Sequence, residues 1–402
     1  MYDLRLSEDQ LAIRDMVRDF VAKDVFPVST MPDRLEPFDV PLAMDLVDAA
    51  AELGLRTLAL SEDAGGAGAD TLTCCIVAEE LAAGDVDIAS VLATTAALGG
   101  LLFNQLMNEE QRDRFITAFV EDARYHLALA DREADMDTAL GVDYYRDTGN
   151  RIGVATTARQ NDNGEWVVNG IKTRIANAPV AKLFAVLVDT GSGSGILLIP
   201  SDTAGLTVSE VERDGGWYVG SCGDVAFKDC TVSGDNMLGA GAVDALSGPG
   251  CDFGLPQNQA INLGVGRAAF EAATEYSGVR IQGGRRIVEH QAIGAKLAEV
   301  LVNLETTRSA IWQAAWAADN PDGEPAGNFP PLPRAMISQI VTAEKIYRAT
   351  KDAAECFGAM GVMRDMPLQK YIHISRVFLH TGDGNADTKL RIAEAVAGHS
   401  RS

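Results

Sequence analysis

An aspartate near the end of the chain is the first residue whose position suggests acid–base chemistry. Asp383 lies in the stretch HTGDGNAD, residues 380–387, between one helix-like run and another. A carboxylate held there could remove a proton from a bound substrate, and His380, about one helical turn earlier, could act with it. The other interpretation is a helix-terminating turn, in which Gly and Asp serve only the backbone. The stretch by itself leaves both interpretations open.

The length and charge of the chain limit the classes of partner. A chain of 402 residues predicts two or three packed units. Its formal net charge of −23 repels nucleic acids and anionic membranes, so we predict neither as a partner. The N-terminus MYDLRLSEDQ has no signal-peptide core, and we expect no apolar run long enough to span a bilayer. These features predict a cytoplasmic protein.

Cysteine and histidine usage argues against a metal site. Six cysteines are scattered without a CxxC pair, and the chain has only five histidines. A structural zinc site needs several such ligands at close spacing. We therefore predict no metal, and we expect reduced thiols, as in a cytoplasm.

The hydrophobic pattern changes twice along the chain and predicts three domains. Residues 1–125 have apolar residues at helical spacing and form an N-terminal helical domain. Residues 126–245 contain short β-branched runs, which indicate an antiparallel β-domain with hairpin turns at 162–164 and 169–170. Residues 246–402 return to helical spacing and form a helical bundle. The predicted fold class is mostly α with a central antiparallel β-domain.

Several predicted helices have clear boundaries. Ser7 is an N-cap before the first amphipathic run, and Gly54 ends a second one. The stretches TLTCCIVAEELAAG (71–84) and LQKYIHISRVFLH (368–380) are two more helices, the second leading directly to the Asp383 stretch.

Motifs in all three segments resemble the acyl-CoA dehydrogenase family. LSEDAGGAG precedes a helix with EEL (79–81), as in the family's PEE-GG-G turn and EEL helix. WVVNGIK…IANA is similar to NG-K-ITNA, and GLTVSEVE…DNMLG is similar to the GL-V…P-NLG pattern. Tyr276, Arg280 and HQ (290–291) have the spacing of the Y-R-FG…HQ hairpin, and CFGAMG…PLQK follows. The resemblance covers nearly the whole chain and implies an N-terminal helical domain, a β-domain and a C-terminal four-helix bundle.

The resemblance implies a flavoprotein oxidoreductase with FAD as cofactor. Family members remove a proton α and a hydride β to the carbonyl of an acyl thioester, here an acyl-CoA or acyl-carrier-protein thioester. Arg280 and Gln291 match diphosphate ligands, and Gly358 and Gly361 match part of a glycine loop, for a flavin bound in the neighbouring subunit. The resemblance therefore also implies an oligomer, either a homo-oligomer (dimer or tetramer) or a pair with a homologous subunit.

The resemblance gives the opening aspartate a role, with alternatives. The family's base is the Glu of a Glu-Gly-Thr, which the Asp-Gly-Asn at 383–385 matches after a one-residue slip. Some members place the base on the first helix of the C-terminal bundle, where this chain has Gly254. His373 replaces an Arg of the family and is either the remnant of a lost ion pair or a proton donor. We predict Asp383 and His380 as the catalytic residues, against the turn interpretation above.

The positions that would contact the flavin depart from the family's pattern. Ala130, Met136 and Ala176 replace residues with hydroxyl groups, and Arg174 replaces an aromatic residue. Each lost hydrogen bond weakens binding by roughly 0.5–1.5 kcal/mol. In the half of the site that is donated to the neighbour, a Glu355 carboxylate facing the diphosphate would be repelled by about 4 kcal/mol at about 4 Å. We therefore predict FAD affinity well below that of the family.

Three functions remain open. The leading prediction is flavin-dependent α,β-dehydrogenation of an acyl thioester, with Asp383 as the base. The second is flavin-free, non-redox catalysis in the same fold, such as cyclisation, elimination or isomerisation, with His380 and Asp383 moving the proton. The third is a non-catalytic subunit that donates Arg280 and Gln291 to the flavin of a competent homologue.

Overall fold

The fold consists of N-terminal helices, a seven-stranded sheet and a C-terminal helical bundle. The computed structural model describes residues 5–35, 41–134, 154–211, 219–247, 253–320, 334–380 and 384–397. Its α-helices are α1 Glu8–Phe20, α2 Phe26–Ser29, α3 Met44–Glu52, α4 Thr71–Gly84, α5 Val86–Leu101, α6 Glu109–Glu121, α7 Ala242–Ser247, α8 Leu255–Val279, α9 Gln291–Asp319, α10 Arg334–Glu355, α11 Leu368–His380 and α12 Gly384–Ala397. The strands of the main sheet are β1 His126–Ala130, β2 Thr157–Gln160, β3 Trp166–Ala176, β4 Ala181–Asp189, β5 Ser194–Pro200, β6 Leu206–Glu210 and β7 Cys222–Val232, and the short pair β8 Ile281–Gln282 and β9 Arg285–Arg286 follows α8. This order confirms the predicted mostly-α class, with a central β-domain between N-terminal helices and a C-terminal helical bundle.

Two aspartates begin the most deeply buried N-terminal helices. Asp70 Oδ1 accepts a hydrogen bond from the Thr73 N–H of α4 at 2.7 Å, and Asp85 Oδ1 accepts one from the Asp87 N–H of α5 at 2.9 Å. Both satisfy N–H groups that the first turn of a helix leaves unpaired. Asp85 ends α4 and caps the start of α5, so one residue separates two helices that are both largely buried.

One apolar stretch of the described residues is long enough to cross a membrane. It is Val86–Leu106, which comprises α5 and the turn after it, and 72% of its most apolar window is buried inside the protein. The expectation that no apolar run reaches this length is therefore wrong. Since α5 packs against α8 and β1, its apolar surface is covered by the protein itself.

The sheet is mixed, whereas an antiparallel sheet was predicted. The strand order is β1-β4-β2-β3-β7-β6, and β5 also pairs with β4. β1 lies parallel to β4, with His126 beside Ala181 and Ala130 beside Val186. The ladders β2–β3, β3–β7, β4–β5 and β6–β7 are antiparallel. The prediction fails at β1 because a run of apolar residues does not indicate which distant strand it will join.

One of the two predicted hairpin turns is confirmed. Residues 162–164 connect β2 to β3, and Gly164 has φ +79°. The Asn-Gly at 169–170 instead lies inside β3, where the register against β7 shifts. A Cβ on Gly170 would lie 2.7 Å from Thr156 Cα, so the glycine permits close strand packing. The second turn prediction is therefore wrong, because the same dipeptide serves a bulge as well as a turn.

The first and third long helices of the C-terminal bundle run in the same direction. Near their starts, Gln259 Nε2 donates to Ala335 O at 2.9 Å. Near their ends, Tyr276 stacks on Phe357, with ring centroids 4.2 Å apart. α8 and α10 are therefore aligned along most of their lengths.

The last helices return along this bundle. Gln369 Nε2, at the start of α11, donates to Gly361 O at 2.6 Å, just beyond the end of α10. α11 consequently starts where α8 and α10 end, and it finishes at His380 towards the opposite end. We call the end at which α8 and α10 start the proximal end, and the end at which they finish the distal end.

Candidate functional site

Two places at which a base was predicted follow α11 and precede α8. α8 begins at Leu255 at the proximal end, and α11, which is 13 residues or about 20 Å long, runs towards that end and finishes at His380. Gly254 precedes α8 with φ +69°, a conformation that glycine adopts without strain. Asp383 lies outside the described residues, as does Met136. The role of Asp383 therefore stays a prediction.

The two histidines of α11 differ in exposure. His380 is exposed at the last position of the helix, and His373 lies about two turns earlier, half-buried. Seven positions, or about two turns, separate them, so they lie on the same side of α11, about 10 Å apart along its axis.

The end of β3 carries the residues for which the resemblance implies flavin contacts. Ala130 is fully buried at the end of β1, and Ala176 is exposed at the end of β3. Neither offers a side-chain hydrogen bond to an isoalloxazine ring. Arg174 is exposed with φ +51°, and its backbone N–H donates to Asp224 Oδ1 at 2.8 Å. This half of the site therefore presents a charge where the resemblance implies an aromatic wall.

A buried carboxylate fixes the segment that follows β1. Glu133 accepts hydrogen bonds from Lys172 Nζ at 2.7 Å, Thr156 Oγ1 at 2.6 Å, Thr156 N at 2.9 Å and Ala155 N at 2.8 Å. Although burial opposes ionisation, these donors lower the pKa of Glu133. Lys172 is 0% exposed, so the two charges are a matched internal pair. Glu133 was not among the residues predicted from the sequence, because its partners lie about 20 to 40 positions later in the chain.

A polar network connects the β-domain to α5. Asn177, with φ +64°, donates from Nδ2 to Val91 O at 3.0 Å and to Thr95 Oγ1 at 3.1 Å. The same Thr95 hydroxyl lies 3.2 Å from His126 Nδ1. Burial, and then the nearby Arg56, lowers the pKa of His126 to about 4. His126 was not predicted either, since nothing distinguishes it in sequence from the apolar run that it begins.

The distal end assembles the residues that match diphosphate ligands. Arg280 follows α8, and the Ile287 N–H donates to its carbonyl at 2.8 Å, which closes the β8–β9 hairpin before Gln291. The Arg280 side chain is exposed and forms no hydrogen bond or ion pair with any residue that the structure describes. Gly358, with φ +58°, comes directly after the Phe357 ring that stacks on α8. The predicted ligands thus lie at one end of the bundle.

Glu355 at the same end has a partner that the sequence did not reveal. Lys296 Nζ donates to Glu355 Oε2 at 2.5 Å and also lies 3.7 Å from Asp352 Oδ1. This hydrogen bond lowers the pKa of Glu355. The expected repulsion of a diphosphate is therefore offset by the Lys296 cation. An unpaired arginine, a left-handed glycine and a neutralised carboxylate fit the diphosphate half of FAD.

The proximal and distal ends are too far apart to serve one cofactor. α8 has 25 residues between them, which corresponds to about 37 Å. A dinucleotide with its ring beside β3 does not reach Arg280 of the same chain. The resemblance accordingly implies that the diphosphate ligands of a complete site come from a second copy.

A cluster of charged residues lies between these ends, and its glutamates and arginines form ion pairs with one another. Glu80 accepts hydrogen bonds from Arg18 Nη2 at 2.6 Å and Arg267 Nη2 at 2.7 Å, and Glu79 accepts one from Arg308 Nη2 at 2.6 Å. These residues line a cavity of about 540 Å³. Because opposite charges already saturate one another, the cluster connects α1, α4, α8 and α9 rather than offering a free cation or anion.

Comparisons with known proteins match all three segments. Models of the acyl-CoA dehydrogenase N-terminal, middle and C-terminal domains match residues 7–122, 147–230 and 256–397. Benzylmalonyl-CoA dehydrogenase of Aromatoleum aromaticum is 29% identical over 402 residues, 98% of this chain and 100% of that protein. Butyryl-CoA dehydrogenase from Megasphaera elsdenii has a similar structure, with a TM-score of 0.84 at 24% identity over 98% of this chain and 100% of that one. A structure described as the FAD complex of PigA has a TM-score of 0.80 at 21% identity, covering 98% and 99% of the two chains.

Proposed function

We propose that this chain, which belongs to the acyl-CoA dehydrogenase family, dehydrogenates an acyl thioester at its α and β carbons with FAD as cofactor. The thioester is carried by coenzyme A or by a carrier protein, and the protein acts in the cytoplasm. The observation that carries the proposal is that Arg280, Gln291 and the Gly358 loop lie at the distal end, where they fit a diphosphate. The Arg280 side chain forms no hydrogen bond or ion pair with any residue that the structure describes.

At the distal end, the chain binds the cofactor of a neighbouring copy. The Arg280 guanidinium pairs with diphosphate oxygens, and Gln291 at the start of α9 adds a neutral donor. Lys296 keeps Glu355 from repelling the same anion. When bound, the flavin supplies the acceptor for the substrate hydride.

At the proximal end, the chain handles the proton. Asp383, which follows His380 and precedes α12 in the sequence, accepts the α-proton of the acyl group. The exposed His380, three positions earlier, relays that proton to solvent. Aspartate is one methylene shorter than the family's glutamate, so the acyl group must bind closer to the backbone of residue 383.

The proposal includes weak cofactor binding. Ala130 and Ala176 supply no hydroxyl to the ring, and the loss of each hydrogen bond costs roughly 0.5–1.5 kcal/mol, or up to about tenfold in affinity. Arg174 cannot form the flat apolar wall of an aromatic side chain. FAD should therefore dissociate on dilution, although the distal end supplies ligands for its diphosphate.

An absorbance titration tests the proposed function. Purified protein is passed through gel filtration, mixed with FAD, and titrated with butyryl-CoA under anaerobic conditions. We expect less than one FAD per chain after filtration, restored binding on addition of FAD, and bleaching of the flavin band by the thioester. A protein that excludes added FAD, or whose bound FAD no acyl thioester bleaches, would refute the dehydrogenase function.

A second candidate function is a non-catalytic subunit of a hetero-oligomer. It is favoured by the contrast between the intact distal half and the altered ring half, at Ala130, Arg174 and Ala176. In that case, the chain would bind no flavin alone, and co-expression with a homologue would yield a mixed oligomer. The Arg280→Ala variant would then lower the flavin content of the partner's site.

A further inference from the structure

The end of β3 contains two backbone conformations that residues other than glycine rarely adopt. Arg174 has φ +51° and Asn177 has φ +64°. Among the residues that the structure describes, Asp229 is the one other non-glycine residue with a positive φ. Such conformations persist only where the surrounding structure fixes them, and they cluster at functional sites. Two of them within four positions indicate that this strand end is held in place by specific contacts.

The neighbouring strands fix the backbone at both positions. The Arg174 N–H donates to Asp224 Oδ1 of β7 at 2.8 Å, where the register of β3 against β7 shifts. The Asn177 N–H donates to Ser221 O at 2.7 Å, and Asn177 O accepts from the N–H of Ala181, the first residue of β4, at 2.9 Å. The backbone of this strand end is therefore held within the β-domain.

The side chain of Asn177 connects the same strand end to other parts of the protein. It is 1% exposed, and its Nδ2 donates to Val91 O at 3.0 Å, to Thr95 Oγ1 at 3.1 Å and to Leu127 O at 3.3 Å. Val91 and Thr95 belong to α5 of the N-terminal helices, and Leu127 belongs to β1. The two hydrogens of one amide thus serve three acceptors on two other elements. Because α5 is largely buried, it is a fixed reference for the position of the strand end.

We propose that Asn177 is a positioning residue for FAD, which fixes the end of β3 against α5 so that the flavin ring meets this strand end in one conformation. This inference rests on the proposed function, in which the ring lies beside β3. The exposed Ala176, immediately before Asn177, offers no side-chain hydrogen bond, so the backbone is what the strand end presents to a ligand. A contact that is already in its bound conformation costs less ordering on binding, so fixing this backbone strengthens FAD binding.

An FAD titration of the purified protein tests the role of Asn177. Glycine adopts a positive φ without strain, so Asn177→Gly keeps the turn and removes the bonds to α5 and β1. We expect FAD to bind about tenfold more weakly, the value of one net hydrogen bond, and the visible absorption of the bound flavin to approach that of free FAD. Thr95→Val changes only α5 and removes one of the three acceptors, so it should weaken FAD binding by a smaller factor.

Asn236→Ala is the matched control, because it changes a second buried asparagine of the same domain. Asn236 is 4% exposed and donates from Nδ2 to Leu198 O at 2.7 Å. It follows β7, which is antiparallel to β3, so it lies near the start of β3, a strand of 11 residues or about 35 Å. Asn236→Ala should lower the melting temperature, as Asn177→Gly does, but leave the affinity for FAD and the flavin absorption unchanged.

The outcomes distinguish the inference from the function on which it rests. If Asn177→Gly binds FAD as tightly as the wild type, or if Asn236→Ala weakens FAD binding to the same extent, Asn177 does not position the cofactor, although FAD binding by the wild type stands. Unchanged FAD affinity in Thr95→Val would also overturn the assignment, because the contact with α5 would then have no effect on the cofactor. If the wild type binds no FAD at any concentration, the proposed function fails and the inference fails with it.

Discussion

Replacement of His126 by glutamine should remove a specific part of the protein's sensitivity to acid. His126 is 0% exposed at the start of β1, bonded through Nδ1 to Thr95, and its Nε2 is buried without a partner among the described residues. Burial, with a contribution from Arg56, lowers its pKa from 6.5 to about 4. At mildly acidic pH, His126 therefore stays neutral in the folded state, whereas in the unfolded chain it is protonated.

The sign and size of the effect follow from this difference. Because the folded pKa is the lower one, the stabilisation is complete above pH 6.5 and is lost as the pH falls towards 4. Between pH 7 and pH 5, the wild type should lose about 2 kcal/mol of unfolding free energy through this one group. His126→Gln keeps a polar side chain that can bond Thr95 but cannot take up a proton, so it should lack this loss.

Two measurements check the prediction. Urea unfolding of both proteins at pH 7 and pH 5 gives the difference in acid sensitivity. The contribution of the carboxylates to the unfolding free energy cancels in this difference, because both proteins contain them. His380→Gln, which removes an exposed imidazole, shows how much the other groups contribute. Proton NMR then observes His126 directly, identified by its absence in the variant. If its Cε1–H resonance titrates near pH 6.5 in the folded protein, the argument from burial is wrong.

Three other substitutions test the proposed site and its support. Asp383→Asn should reduce turnover by roughly 10²–10⁴ while the melting temperature hardly changes, and full turnover would exclude Asp383 as the base. Lys296→Met should leave Glu355 uncompensated and lower the FAD retained after gel filtration, and adding Glu355→Gln should restore it; equal retention in Lys296→Met and wild type would contradict the electrostatic role. Glu80→Gln should destabilise the fold by roughly 1–3 kcal/mol, because the largely buried Arg267 loses its closest carboxylate, and an unchanged melting curve would refute this.

Local elements could be predicted from the sequence because their signals lie close together in the chain. α4 and α11 span Thr71–Gly84 and Leu368–His380, the same residues that the helical spacing selects. The Asp70 cap immediately precedes the first of these helices, and the N-cap signal needs only three residues. The three-part architecture follows from such local patterns together with the motifs.

Partners that are distant in the chain could not be predicted in the same way. The parallel pairing of β1 with β4, the Glu133–Lys172 pair and the Lys296–Glu355 pair all depend on how separate elements pack. A carboxylate has the same sequence signature whether it repels a ligand or is neutralised by a lysine on the next helix. The charge at Glu355 was therefore anticipated, but its compensation was not.

The distribution of charge connects cofactor binding to oligomerisation. FAD is an anion, whereas the chain has a net charge of −23. Arg280, Arg285 and Arg286 nevertheless lie within seven residues at the distal end, with Lys296 neutralising Glu355 beside them. Because this end is about 37 Å from the proximal end, its cations cannot aid a flavin held at the chain's own β-domain. On the proposed function, they stabilise the flavin of a second copy, so every bound FAD strengthens the contact between copies and every contact strengthens FAD binding. Subunit dissociation and flavin release are then a single coupled equilibrium, and a monomer that retained FAD would require a different site.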